Sequence, residues 1–231
     1  MLAYRYMKGL KMKAFGGLLF LIVVLGALLF IPAGTFDYWQ AWVFLAVFGL
    51  STLAITLYLM KKDPGLLEKR VTAGPTAEKE RSQKIVQSVA SVAFAAIFII
   101  SALDYRFAWS MVPNYAAIVG DVLVALGLLA VFFVFKENSF TSATIEIDPE
   151  QKVISTGPYA LVRHPMYAGA FVMLVGVPPA LGSWWGLVAV IPLMFAIVRR
   201  LFDEEKFLAK NLMGYAEYQK MVKYRLVPFV W

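Results

Sequence analysis

The stretch "AFGGLLFLIVVLGALLFI", Ala14 to Ile31, runs for eighteen residues without a charged side chain. As a helix rising about 1.5 Å per residue it would cover about 27 Å. That nearly matches the hydrocarbon core of a bilayer, about 30 Å. Lys8, Lys11 and Lys13 stand before it. A secretory leader has a shorter apolar region and a small-residue cleavage site, whereas "IPAGTF" follows here. The stretch reads as a retained first membrane helix. A second apolar run spans Tyr38 to Met60, entered through the aromatic cluster "TFDYWQAW", a third Ile85 to Leu103, and a fourth Asn114 to Phe135. Between the third and fourth, "DYRFAWSMVP" reads as a short polar and aromatic turn. Tyr167 to Val198 is apolar again, but it is too long for one crossing, and Pro178, Pro179 and "LGSWWG" interrupt it. It reads as a hairpin of two helices. The pattern predicts an all-α, polytopic integral membrane protein with about six transmembrane helices. It forms a single domain over residues 1–231, with four transmembrane helices in 1–135, a functional C-terminal half in 136–231, and cytoplasmic C-terminal helices.

Composition agrees. Hydrophobic residues make up 61% of the chain, against about 45–50% in soluble domains, and the mean hydropathy is +0.70. There are no cysteines, which excludes disulfides, iron–sulfur clusters and thiolate zinc sites. A single histidine excludes a histidine-rich metal site, so no metal is expected. The net charge of +7 does not suggest nucleic acid, because the basic residues flank apolar runs. With six spans, 21 of the 22 lysines and arginines fall on one side and only Arg106 falls opposite. By the positive-inside rule that side is cytoplasmic and holds both termini. The chain has no G-x-G-x-x-G and no P-loop, so a nucleotide-like cofactor would bind by another route.

"TGPYALVRHPMY", Thr156 to Tyr167, holds that histidine beside an arginine, two tyrosines and two prolines. Gly157-Pro158 is a turn signal. Pro165 turns His164 away from helical geometry and suits the first turn of a following helix. A helix starting there presents free N–H groups and a partial positive end, with Arg163 and His164 beside it and Tyr159 and Tyr167 as walls. The segment reads either as an anion-binding cradle or as an interfacial anchor of arginine and tyrosine. In "RRLFDEEKF", Arg200 and Glu204 are four residues apart and share a helix face. They are either a surface pair worth about 0.3–0.5 kcal/mol or, brought by the hairpin to the same membrane side as the turn, part of its pocket. Leu201, Leu208, Leu212, Tyr215 and Tyr218 share one helical face, and Gly214 breaks the tail into two short helices. That tail is either a lid or an amphipathic segment lying at the interface. Asp121, inside the fourth span, is expected to pair with a polar group on a neighbouring helix.

"TGPYALVRHPMYAG", "LGSWW" and "RRLFDEEKFLAKNLMGYAEYQKMVKYRLVPFVW" resemble the isoprenylcysteine carboxyl methyltransferase family, within the wider phospholipid methyltransferase group. "KKDPGLLEKR" is similar to its prokaryotic branch. The resemblance implies a membrane enzyme that uses S-adenosyl-L-methionine. It implies cofactor contacts from Gln151, Lys152, Val153 and Ile154 before the turn, then from Tyr159, His164, Pro165, Met166, Tyr167 and Glu204; Arg163 joins them on the anion-corner argument. Arg200 is implied in handling substrate, and Arg200 and Glu204 are the catalytic candidates. Eukaryotic members carry a histidine where Gln151 stands. The implied reaction is methyl transfer to a lipophilic or lipidated acceptor at the cytoplasmic face, most naturally a prenylcysteine-type carboxylate, in a prokaryotic inner membrane. A lipid amine or small thiol is an alternative acceptor, with His164 as base. An NADPH-dependent membrane sterol or steroid reductase is an alternative enzyme with a similar C-terminal half.

Overall fold

A computed structural model describes residues 2–71, 80–144 and 147–231. Those residues form eight α-helices and one 3-10 turn, with no strand among them. The helices are α1 (Leu2–Ala33), α2 (Trp39–Lys62), α3 (Pro64–Val71), α4 (Arg81–Phe107), α5 (Asn114–Glu137), α6 (Pro165–Ala180), α7 (Gly186–Asn211) and α8 (Tyr215–Met221); the 3-10 turn is Gly157–Ala160. Four helices are long and apolar enough to cross a membrane: Arg5–Ala33 within α1, then α2, α4 and α5. α6 is apolar but has only 16 residues. α7 is apolar up to Val198 and charged beyond it. The two pack as the expected hairpin, joined by a tight corner at residues 181–185 in which Gly182 has φ +69°.

Two local readings are corrected. "DYRF" is not part of a turn: α4 runs on to Phe107, and the chain reverses at Ala108, which is left-handed at φ 50°. Asp104 explains the extension. Buried in the last turn of α4, it accepts hydrogen bonds from Ser110 N (2.7 Å), Ser110 Oγ (2.5 Å) and Ser183 Oγ (2.6 Å). One carboxylate thus fastens the α4 corner to the α6–α7 corner. The charged loop after α2 also contains a helix, α3, which buries Leu66 and Leu67.

The core is shared by α1, α2 and α4–α7, with Leu29, Phe44, Ile97, Val124 and Leu181 at or near zero exposure. The closest approach is α5 on α6. A Cβ at Gly120 would lie 2.3 Å from the backbone nitrogen of Ala180, and one at Gly127 2.6 Å from the carbonyl oxygen of Gly169. Seven-residue spacing puts these glycines on one helix face. Asp121 sits beside this contact and does not find the expected partner: both carboxylate oxygens are buried without a hydrogen bond among the described residues.

Candidate active site

The site is built where the 3-10 turn, the start of α6 and the end of α7 meet. Gly157 takes φ +56°, and a Cβ there would meet the Glu137 side chain at 2.9 Å. That opens the turn, and Tyr159 follows with its N–H on the Thr156 carbonyl (3.1 Å). Its hydroxyl receives a hydrogen bond from Asn138 Nδ2 (3.0 Å), fixing the ring to the end of α5. Pro165 opens α6 with His164 as the flanking residue, as the two-proline pattern indicates. His164 stacks on Tyr167 with ring centroids 5.7 Å apart.

These parts surround a cavity of about 100 Å³. All twelve sequence-predicted site residues line it: Gln151, Lys152, Val153, Ile154, Tyr159, Arg163, His164, Pro165, Met166, Tyr167, Arg200 and Glu204. Tyr167 donates its hydroxyl to Glu204 Oε2 at 2.6 Å. Arg200 donates to the Ala143 carbonyl (2.9 Å) and to Gln83 Oε1 (3.4 Å). Arg200 and Glu204, both part-buried, thus line the same cavity. The cavity also takes Leu208, Leu212, Tyr215 and Tyr218 from the tail, so the single apolar face of the tail covers the site. Burial, and after it the nearby Glu205 and Glu204 carboxylates, push the Tyr215 phenol well up, so it is a neutral hydroxyl. Its oxygen is buried and has no hydrogen-bond partner among the described residues.

A second carboxylate, unassigned by sequence reading, organises the corner. Glu205 is 6% exposed and accepts from Arg163 Nε (2.7 Å), Arg225 Nε (3.1 Å) and, by its geometry, His164 Nε2 (3.3 Å). Burial raises its pKa; the hydrogen bonds from His164 and Arg225 and the charges of His164 and Arg163 outweigh that and hold it at about 2. Arg163 also donates to the Val222 and Lys223 carbonyls at 3.0 and 3.3 Å. The Arg163 and His164 N–H groups bond the Tyr224 and Arg225 carbonyls, each at 2.9 Å. The anion received by this corner is thus the protein's own carboxylate, and Arg163 straps the tail over the site. A signal for Glu205 existed: it lies four residues after Leu201, on the buried face of α7, where a carboxylate requires cations.

Among known proteins, residues 115–214 match the family model of phospholipid methyltransferases. A cobalt-zinc-cadmium resistance protein, CzcN, of Cupriavidus metallidurans is 28% identical over 104 residues, 44% of this chain and 48% of its own. A nickel-cobalt-cadmium resistance protein, NccN, of Alcaligenes xylosoxydans is 26% identical over the same shares. A probable protein-S-isoprenylcysteine O-methyltransferase of Oryza sativa is 29% identical over 121 residues, 50% of this chain and 63% of its own. The chain thus spans about half to two thirds of the length of these relatives. The matched segment contains all twelve sequence-predicted residues, while Tyr215 and Tyr218 of the cavity wall lie just beyond it, and through it the chain resembles the phospholipid methyltransferase family, protein-S-isoprenylcysteine O-methyltransferases among its relatives.

Proposed function

We propose that the chain is a six-span membrane protein with cytoplasmic termini that transfers a methyl group from S-adenosyl-L-methionine to a lipophilic acceptor at the cytoplasmic face, with a carboxylate as the nucleophile. One observation carries the reading: the Tyr167–Glu204 pair and Arg200 face one cavity walled by the cradle residues and the tail. The donor set suits the cofactor. Glu204 can accept from an ammonium or a ribose hydroxyl, the faces of Tyr159 and Tyr167 can attract a sulfonium, and the Tyr215 hydroxyl supplies a polar contact that none of the described residues uses. Drug-sized ligands occupy about 300–1,000 Å³, so loading has to widen this cavity; the corner at Gly214, between α7 and α8, is a place where the tail can lift.

Bound S-adenosyl-L-methionine supplies an electrophilic methyl on a positively charged sulfur. The chain's residues align and exclude water. Arg200 steadies an anionic acceptor beside Glu204, and the tail closes the cavity. In-line displacement by a carboxylate needs no base, so rate comes from alignment and dehydration. An amine or thiol acceptor would need its proton removed, and the Nε2 of His164 is already engaged with Glu205; this favours the carboxylate. The bacterial origin of two relatives and a prokaryotic-type loop support an inner-membrane setting. The test incubates purified protein with methyl-labelled S-adenosyl-L-methionine and a lipid extract. A base-labile labelled ester is expected; label confined to amines or thiols would overturn the carboxylate assignment, and no transfer together with no affinity for S-adenosylhomocysteine would overturn methyl transfer itself.

A further inference from the structure

Arg70, at the end of α3, lies outside the family-matched segment, yet it packs directly behind the cavity wall. Its Nη1 donates to the Ser142 carbonyl at 3.1 Å and lies 3.9 Å from the Met166 sulfur. Its guanidinium lies over the Phe135 ring, 5.0 Å from the centroid. The next carbonyl along, Ala143, takes Arg200, so two guanidinium groups sit on consecutive carbonyls of one loop. Lys69, the neighbour of Arg70, has a carboxylate partner, Asp148, at 2.8 Å. Arg70 has none among the described residues; its contacts are a carbonyl, a thioether and a ring. Burial pushes its pKa down, and Arg200 does so further against the opposing pull of the Tyr167 and Tyr159 phenols. A part-buried cation without a counterion gains most from a ligand that brings one.

A second cavity points to the same place. An apolar groove of about 460 Å³ lies between α2 and α5, with Ile55 and Tyr58 on one side and Leu128, Leu129 and Phe132 on the other. Ile55 and Tyr58 also pack on the cluster of Leu59, Leu66 and Phe135, and Met166 packs on that cluster too while lining the polar cavity. Phe135 is three residues beyond Phe132, on the same face of α5. An apolar path therefore leads from the groove to the ring under Arg70, and from there past Met166 into the site.

We propose that Arg70 recognises the anionic head of the acceptor, whose apolar tail occupies the α2–α5 groove. This makes Arg70 a specificity-determining residue for the methyl transfer proposed above, and it rests on that reading for the identity of the reaction. The occupant is one apolar chain with a carboxylate at its end, because the groove is lined mainly by apolar side chains, Ser51 apart, and Arg70, without a carboxylate partner among the described residues, lies toward one end of it.

The test uses the full chain in neutral phosphatidylcholine nanodiscs and two probes that differ only in charge: N-acetyl-S-farnesylcysteine and its carboxamide. Wild type is expected to bind the carboxylate roughly ten- to a hundredfold more tightly, the worth of one charge-assisted contact. Arg70→Gln should lower that ratio several-fold, the remainder belonging to Arg200, while its affinity for S-adenosylhomocysteine, titrated in parallel as the folding check, stays within about threefold. Arg70→Lys, which keeps the charge and loses the fork, should fall between, and it decides the matter if the glutamine variant does not fold. Leu129→Trp, filling the groove, should weaken both probes alike. Equal binding of the two probes by wild type overturns the proposal, as does a ratio unchanged in the folded Arg70 variants, which would leave Arg70 as a brace for the Ser142 loop. The two readings fail separately: wild type without affinity for S-adenosylhomocysteine sinks the methyl-transfer reading, whereas the carboxylate-to-carboxamide ratio judges Arg70 either way.

Discussion

Glu204 and Glu205 are adjacent and do opposite jobs, because successive residues on a helix point about 100° apart. Glu204 turns into the cavity toward Tyr167, and Glu205 turns to Arg163, His164 and Arg225. Glu204→Ala is expected to lower affinity for S-adenosylhomocysteine roughly ten- to a hundredfold without loss of fold, measured by titration; Arg200→Ala should instead reduce turnover or acceptor binding. Glu205→Gln should act through stability. It leaves buried cations without their anion, which costs about 3–5 kcal/mol, seen as a lower unfolding midpoint and faster proteolysis of the tail. The pH dependence follows from the depressed pKa of about 2 in place of an ordinary 4.5. A depressed carboxylate stabilises fully above its unfolded value and loses that stabilisation as pH falls toward its folded one. Between about pH 4.5 and 2 wild type should lose about 3 kcal/mol through this group, and Glu205→Gln should lack that component. Tyr215→Phe separates binding from folding most cleanly. Its hydroxyl has no partner among the described residues, so removing it should leave thermal stability unchanged or raised by about 1 kcal/mol while cofactor affinity falls. A variant that loses stability and keeps its affinity would show that the hydroxyl serves the fold.

Among the elements, the α5–α6 pair sets the geometry of the site, because Asn138 directly follows α5 and His164 directly precedes α6. The two helices approach so closely that glycines at 120 and 127 face glycines at 176 and 169. Dispersion and close packing, not exclusion of water, hold apolar helices together in lipid, and small residues permit the approach. Gly127→Val has its first added carbon only 2.6 Å from the Gly169 carbonyl and the Met173 nitrogen, which are backbone atoms and cannot swing aside. It is expected to destabilise by about 3 kcal/mol or more, as overpacking does at its upper end, and to lower cofactor affinity by tilting α6. Gly17→Ala in α1, where nothing lies within 4 Å, is the control and should be neutral or stabilising by about 1 kcal/mol. Thermal midpoints in one detergent compare the two.

Across the whole molecule, the ends of the bundle are distinct. The Asp104–Ser183 bond puts the α4 corner and the hairpin corner at one end, and the Asn138–Tyr159 bond puts the α5 exit with the 3-10 turn at the other. The proposed six-span topology then predicts that membrane-impermeant labels applied from the cytoplasmic side reach cysteines placed at Asn138 and Gln219. Labels from the opposite side should reach Phe107 and Trp184, which is 42% exposed whereas Ser183 is wholly buried. Reaction at Asn138 and Phe107 from the same side would end the model. A third cytoplasmic position expected from the charge pattern, near Thr76, lies outside the described residues.

The sequence alone determined the long apolar helices, where the hairpin bends, and a set of twelve residues that all lie along the cavity wall, but not the helix α3 or the full length of α4. Each of those readings depends on local properties: run length against bilayer thickness, proline and glycine at a turn, a four-residue spacing on one helix face, and a motif shared with related chains. It also held Gly214, whose φ of +83° splits the tail as expected. Tertiary structure alone decided the rest. Glu205 finds Arg163 across 42 positions of chain and Arg225 across 20, and Arg70 reaches Met166 across 96. Four glycines acquire meaning only when α5 lies on α6. No periodicity encodes such pairings, because the identity of a partner across a packed interface depends on how whole helices rotate and tilt against one another. A carboxylate in "DEEK" reads the same whether it faces cofactor, solvent or three cations; the packing of α7 against the strapped tail is what assigns the two glutamates their separate work.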